Sequence, residues 1–441
     1  EAALLLVALI GVAAVPVTYL CGRALGGRRV GMIGAVLVAL FPLLAELSGL
    51  VRPYSLLPVL CLLSVTLLTR ALLTDAWRYW VGWAVATLAF VLTHNWAGLA
   101  AIAEGACAVA LLAWRPPGVR GTWRRALAAG ALLVAGYAPW LPTFLAQAGA
   151  VAHPGFGELW PPTVLLSPFF EDQTYASHLL IFAALTVLGT WFAWRRLGPE
   201  RRTAAAMLVG VPAVATGVAF LFSVRSNVVL LRCLATLVPC VALAAALWLD
   251  RVPRRMLAPL LLALVAWPLV EFARRVTSGR PHSNAAAVAG VIEREARPGD
   301  LVVVAPMWPA SSLNWYSRRR LDQMAFPFRA RITAAPFDSI VETLADPAAA
   351  RAFLAALDTA RLGQRRVWLV TEGLGDDPVT DRDVREAARR RDTWLLGRLR
   401  ARQVQLHLRA LYGAASPERF AVPGGSHENL TLERFEAPGL R

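Results

Sequence analysis

The sequence predicts an α-helical polytopic membrane domain of about ten spans over residues 1–275, followed by a soluble α/β domain over residues 276–441 on the outer face. Three observations predict it. The chain is 57% hydrophobic and 17% charged, where an ordinary soluble domain carries about 25% charged residues. The long apolar runs stop near residue 275, beyond which polarity is ordinary. Arginine is distributed very unevenly between alternate connections of the apolar runs.

The spans come first. A bilayer core about 30 Å thick needs roughly 20 apolar helical residues. The segments that qualify lie near 2–20, 31–50, 54–73, 79–94, 96–114, 126–145, 177–194, 204–223, 229–249 and 257–273. Cys21, Cys61, Cys107, Cys233 and Cys240 all fall in or at the ends of these runs, so no disulfide framework is indicated.

Orientation follows from arginine, which supplies the whole basic charge of a chain at formal net charge +16, since lysine is absent. One alternating set of connections holds Arg23, Arg28 and Arg29; Arg70 and Arg78; Arg115, Arg120, Arg124 and Arg125; Arg195, Arg196, Arg201 and Arg202; Arg251, Arg254 and Arg255. The other set holds Arg52 and Arg225, with Arg232 slightly inside the next run. Sixteen against two or three places the first set in the cytoplasm. Topology and contact with anionic membrane lipids account for those sixteen, and no nucleic-acid partner is needed. An even number of spans then puts Glu1 and the C-terminal region outside. The opening "EAALLLVALIGVAAVPVTYL" lacks the basic start and clear cleavage site of a signal peptide. At least one further span, with the loop after it, is therefore expected upstream of Glu1.

The outer face collects the polar residues that topology does not explain. In "LSGLVRPYSLLPVL", Arg52 can be an interfacial anchor with Tyr54 in the aromatic belt. It can instead bind an anion delivered at the membrane surface, because guanidinium presents forked donors to phosphate and stays charged. Glu46, His94, Asn95, Arg225, Asn227 and Arg232 fall at the same end of their spans. Ionisable residues there are candidates for function. Glu46 could simply neutralise Arg52, and Glu104 reads as a buried structural partner for an arginine such as Arg232. The long outer connection, 146–176, combines Trp, Pro and Phe with Glu158, Glu171 and Asp172, as suits an interfacial segment beside a polar site.

The order "YLCGRALGGRRVGMIGAVLVALFP", "VRPYSLLPVLCLLSVTLLTRAL", "LTHNWAGLAAI" and "YAPWLPTFL" resembles the GT-C superfamily of polytopic glycosyltransferases. More narrowly, it is similar to the bacterial branch related to dolichyl-phosphate-mannose protein mannosyltransferases and lipid A aminoarabinose transferases. The likeness covers residues 1–250. Gly22-Arg23 with Arg28-Arg29 matches the family's early basic pair, and Arg52-Pro53-Tyr54 its Arg-x-Tyr. There are departures. Leu50 stands where relatives carry an acid before Arg-x-Tyr, and Cys233 stands where a tyrosine often follows the arginine corresponding to Arg232.

The resemblance implies inverting transfer of a hexosyl or pentosyl group from a polyprenyl-phosphate carrier to an extracytoplasmic acceptor, at a bacterial inner membrane. It implies Arg52, Arg225 and Arg232 as contacts to the donor phosphate, with Glu46, Tyr54, His94, Asn95, Glu171 and Asp172 lining the site. The family's catalytic aspartate belongs upstream of Glu1, so no residue here takes that role. A divalent metal ion held by outer-loop carboxylates is an open alternative to arginine alone.

In the C-terminal region, "AAAVAGVIEREA" reads as an amphipathic helix and "LVVVAP" as a buried strand. "RRVWLVTEG" reads as a second strand, "DRDVREAARRRDTWLLGRLRAR" as one charged helix, and "QVQLHLRALYG" and "LTLERFEA" as alternating strands. "SSLNWYSRR" is either an ordinary surface helix or a loop that touches substrate at a strand's carboxyl end. No Gly-rich phosphate loop, nucleophile elbow or Cys/His metal spacing occurs there. The domain is expected to assist acceptor recognition. Two other function classes remain open at this point: a lipid or solute transporter or flippase, and an inactive membrane scaffold.

Overall fold

A computed structural model describes residues 2–49, 52–150, 173–223, 231–277, 283–317, 322–328, 340–361, 366–372, 379–389, 393–412, 417–422 and 429–436. Two compact units divide between Arg274 and Arg275.

The first unit is helical. Its elements are α1 (Ala2–Gly26), α2 (Arg28–Ala39), α3 (Pro42–Leu47), α4 (Leu56–Thr74, after a 3-10 turn at Pro53–Ser55), α5 (Trp77–Thr93) and α6 (Ala97–Trp114). There follow α7 (Trp123–Tyr137), α8 (Leu141–Ala150), α9 (Gln173–Ala193), α10 (Pro199–Ser223), α11 (Leu231–Leu234), α12 (Val238–Leu249) and α13 (Arg254–Thr277). Among the described residues, five stretches are long and apolar enough to cross a membrane: Leu4–Gly26, Pro53–Thr74, Ala97–Trp114, Trp123–Leu145 and Pro199–Phe222. A shorter apolar helix covers Ala235–Leu249.

The expected span 31–50 is not one helix. It breaks after Ala39 and resumes at Pro42, because proline lacks the N–H for the next turn and forces Phe41 into extended backbone (φ −86°, ψ 106°). Twelve residues of α2 reach only about 18 Å at ~1.5 Å per residue. The expected span 229–249 likewise reads as α11, a 3-10 turn at Ala235–Leu237, and α12, which begins one residue before Pro239.

Glycine decides how α1 and α2 meet. A Cβ on Gly22 would sit 2.7 Å from the Cα of Gly31, and one on Gly31 would sit 2.5 Å from the Tyr19 carbonyl oxygen. The backbones therefore touch, as small residues permit in membrane helix pairs. Gly31→Ala is expected to force the pair apart and cost about 1–3 kcal/mol of stability, the range for overpacking. The check is a lower thermal midpoint for purified protein in detergent.

The five arginine-rich connections are knitted together at one end of this unit. Arg70 reaches the Ala24 carbonyl (3.3 Å), and the Arg120 and Gly121 amides both donate to the Leu72 carbonyl (2.8 Å each). Arg201 pairs with Asp250 (2.7 Å) and donates to the Gly26 carbonyl. Arg29 donates to the Val252 carbonyl (2.8 Å). Gly118, at φ +103°, backs onto Pro199 and Glu200. Asp75, the C-cap of α4, accepts from the Trp80 indole (3.0 Å) and the Thr122 amide (3.1 Å) and pairs with Arg125 (3.3 Å).

The second unit contains α14 (Ala285–Glu295), β1 (Leu301–Ala305), α15 (Pro309–Tyr316), β2 (Asp322–Ala325), α16 (Ile340–Ala345), α17 (Pro347–Arg361) and β3 (Arg366–Glu372). It continues with α18 (Asp381–Arg389), α19 (Thr393–Tyr412), β4 (Glu418–Phe420) and β5 (Leu430–Glu436). The sheet order is β2-β1-β3-β5-β4, with β2, β1 and β3 parallel and β5 and β4 antiparallel to their neighbours. β1 is buried along its length, as expected of a strand flanked on both sides. Phe326 and Phe353 meet edge to face at 4.8 Å in the core below it.

Two expectations need correction. "QVQLHLRALYG" is the second half of α19, not a strand. Its alternation is overridden by a helical burial pattern: Ala401, Val404, Gln405, Leu408 and Tyr412 are buried while Leu406 is 38% exposed. The single charged helix over 381–402 is two helices, α18 and α19. α18 starts with a reciprocal cap in which Thr380 and Asp383 exchange backbone and side-chain hydrogen bonds.

Candidate functional site

The candidate site lies where the 3-10 turn Pro53–Ser55 opens α4 and where α5 gives way to α6. Arg52 precedes Pro53 in extended backbone (φ −143°, ψ 160°), which the following proline favours. Its side chain is exposed and has no hydrogen-bond or ion-pair partner among the described residues. A guanidinium at the edge of an apolar bundle can accept an oxyanion through its forked donors.

Tyr54 is half-buried beside it. Its ring lies 5.9 Å from that of His94, tilted by 47°. This contact joins the start of α4 to the end of α5. His94 leaves α5 in extended backbone (φ −161°, ψ 136°), and its Nδ1 accepts the backbone N–H of Trp96 at 3.1 Å. An acceptor at Nδ1 leaves the proton of the neutral imidazole on Nε2. Asn95 follows in the same turn, and Trp96 is buried against the bundle core.

Glu46 is half-buried on α3, which packs beside the Pro53–Ser55 turn. It does not neutralise Arg52, because Arg52 has no ion-pair partner among the described residues. The structure thus brings Tyr54 and His94 into contact and sets Arg52, Glu46 and Asn95 on the adjoining turns.

Arg225, Asn227, Glu171 and Asp172 lie outside the described residues, as does Glu158. Arg232 falls in α11, but its side chain also lies outside them. Among the described residues no group of three or more His, Cys, Asp or Glu side chains could hold a metal ion. The outer-loop carboxylates of the metal alternative lie outside the described residues.

Glu104, on α6, gathers donors from two neighbouring helices. Among the described residues its Oε2 accepts from Ser64 Oγ (2.5 Å), Trp83 Nε1 (2.8 Å) and Thr87 Oγ1 (3.3 Å). Ser64 and Thr87 also bond to each other at 2.6 Å. Nothing in the sequence pairs these residues, since they stand on three helices with no shared motif.

No family model matches the sequence, and no curated protein sequence matches it. Solved structures do. ArnT from Cupriavidus metallidurans in the apo state aligns at 14% identity over 98% of this chain and 83% of that one, with a TM-score of 0.53. The same protein bound to undecaprenyl phosphate aligns at 15% identity over 99% of this chain and 84% of that one, with a TM-score of 0.54. At such identity the likeness is one of fold alone.

Proposed function

We propose that this chain is a membrane glycosyltransferase that moves a sugar from a polyprenyl-phosphate carrier to an acceptor outside the cytoplasm, with inversion at the anomeric carbon. The observation that carries the reading is an exposed Arg52 at a helix start, without a partner among the described residues, in a chain that shares its fold with a protein solved bound to undecaprenyl phosphate. The chemistry asks for a cation at the departing phosphate, where charge builds as the glycosidic bond breaks. This reading gives that task to Arg52, which is exposed at the turn, and the sequence adds Arg225 and Arg232 as further contacts to the same phosphate. Tyr54 and the Nε2–H of His94 supply neutral donors beside it. Glu46 and Asn95 line the turn, and Glu171 and Asp172 line its outer side in this reading.

The site faces outward in this reading, and so does the second unit, which takes part in acceptor recognition. The five joined arginine-rich connections support the assignment, because one end of the unit then carries the cytoplasmic charge. Labelling of Gly49→Cys and Asp381→Cys in intact cells by an impermeant thiol reagent is expected to proceed from outside. Labelling of both only after permeabilisation would invert the topology. The function itself is tested by incorporation of labelled sugar from a polyprenyl-phosphate donor into membranes that contain the protein, against membranes that lack it.

A further inference from the structure

The residues at the outer turns need their helices held in register, and the bundle supplies a device for that beneath them. Glu104 is fully buried. Its Oε2 collects Ser64 from α4 and Trp83 and Thr87 from α5, while Glu104 itself belongs to α6. These are the three helices whose ends carry Arg52 and Tyr54 (α4) and His94 and Asn95 (α5 into α6). At ~1.5 Å per residue, Ser64 lies about 15 Å along the chain from Tyr54, Thr87 about 10 Å from His94 and Glu104 about 10 Å from Ala97.

The donors converge on one oxygen. Oε1 is buried and has no hydrogen-bond partner among the described residues. This asymmetry separates two roles. A residue used as a proton carrier would need a path to or from its second oxygen. A residue used as an acceptor needs Oε2 alone, and a glutamine carbonyl would serve as well. In an apolar bundle these donors have no water to fall back on, so losing the common acceptor leaves the Trp83 indole and one of the two hydroxyls, which otherwise pair only with each other, without an acceptor.

We propose that Glu104 is a positioning residue that locks α4, α5 and α6 in register and so holds Arg52, Tyr54 and His94 in their mutual arrangement. The proposal rests on the reading of those residues as a donor site only for its activity readout.

The test uses the full chain in proteoliposomes with Glu104→Gln, Glu104→Ala and the milder Ser64→Ala. A Tyr54→Cys/His94→Cys pair in each background reports the α4–α5 geometry by reaction with a short bifunctional thiol reagent. Cross-linking is expected to be unchanged in Glu104→Gln, about tenfold slower in Glu104→Ala and intermediate in Ser64→Ala, in line with loss of a buried network's common acceptor. With Tyr54 and His94 intact, Glu104→Ala is expected to raise KM for the lipid-linked donor about tenfold, and Glu104→Gln to restore it. Wild-type cross-linking in Glu104→Ala would overturn the proposal. So would failure of Glu104→Gln in both readouts, which would assign the role to the carboxyl's charge or proton. If the wild-type protein transfers no sugar but cross-linking still depends on Glu104, the glycosyltransferase reading fails and the positioning role stands.

Discussion

Arg52→Ala is expected to lower transfer from a polyprenyl-phosphate sugar by about 10²–10³-fold, the range for removing one donor aimed at developing negative charge. The protein level in the membrane should not change, because the Arg52 side chain is exposed and engages no partner among the described residues. Its loss strands nothing in the core. Arg52→Lys separates charge from shape: the ammonium keeps the positive charge but not the planar fork, so about a tenfold loss is expected if the phosphate is gripped by two oxygens. Label incorporation at matched protein amounts reads both variants. Full transfer by Arg52→Ala would leave Arg52 as an interfacial anchor and remove it from the site.

Much of this arrangement was legible in the sequence, and the physical reason differs by element. Apolar runs separated by arginine declare membrane helices because the bilayer tolerates little else, so the helical segments of the first unit stand where hydropathy puts them. Their interruptions were less visible. Pro42 broke the run 31–50 in a place where Pro16 and Pro212 are carried inside α1 and α10. Proline alone therefore does not tell a break from a tolerated position; neighbouring helices decide. In the second unit, β1, β3 and β5 were legible because continuous Val and Leu or strict alternation leaves few other folds. The half of α19 read as a strand shows the limit: Val404, Leu406 and Leu408 alternate, yet α19 packs on the sheet through residues three and four apart. The short strands β2 and β4, of four and three residues, carry too little pattern to be seen. At the site, residue types and helix ends were readable, whereas the Tyr54–His94 contact and the Glu104 cluster are products of packing between helices distant in sequence.

Asp300→Ala is expected to cost the second unit about 3–5 kcal/mol, the penalty for stranding a buried charge by deleting its partner. Asp300 is 1% exposed and immediately precedes β1. It pairs with Arg366 at 2.9 Å, accepts the Trp368 indole N–H at 2.9 Å and accepts the backbone amide of Arg297 at 2.9 Å. One carboxylate thus closes the turn "RPGD" and ties the start of β1 to β3, its parallel neighbour. Arg366 is itself 5% exposed, so deletion of Asp300 leaves a guanidinium that cannot reach water without disturbing the start of the central strand β3. Its other acceptors, the Glu295 carbonyl at 2.6 Å and Glu436 at 3.8 Å, do not surround it. The cost should therefore fall mainly on the orphaned cation. A double variant, Asp300→Ala with Arg366→Met, tests that: removing the charge with its partner should recover more than half of the loss. Protease susceptibility of the second unit in the full-length protein, followed against temperature, reads the effect without requiring activity. Equal loss in the single and double variants would instead assign the cost to the Trp368 and Arg297 hydrogen bonds.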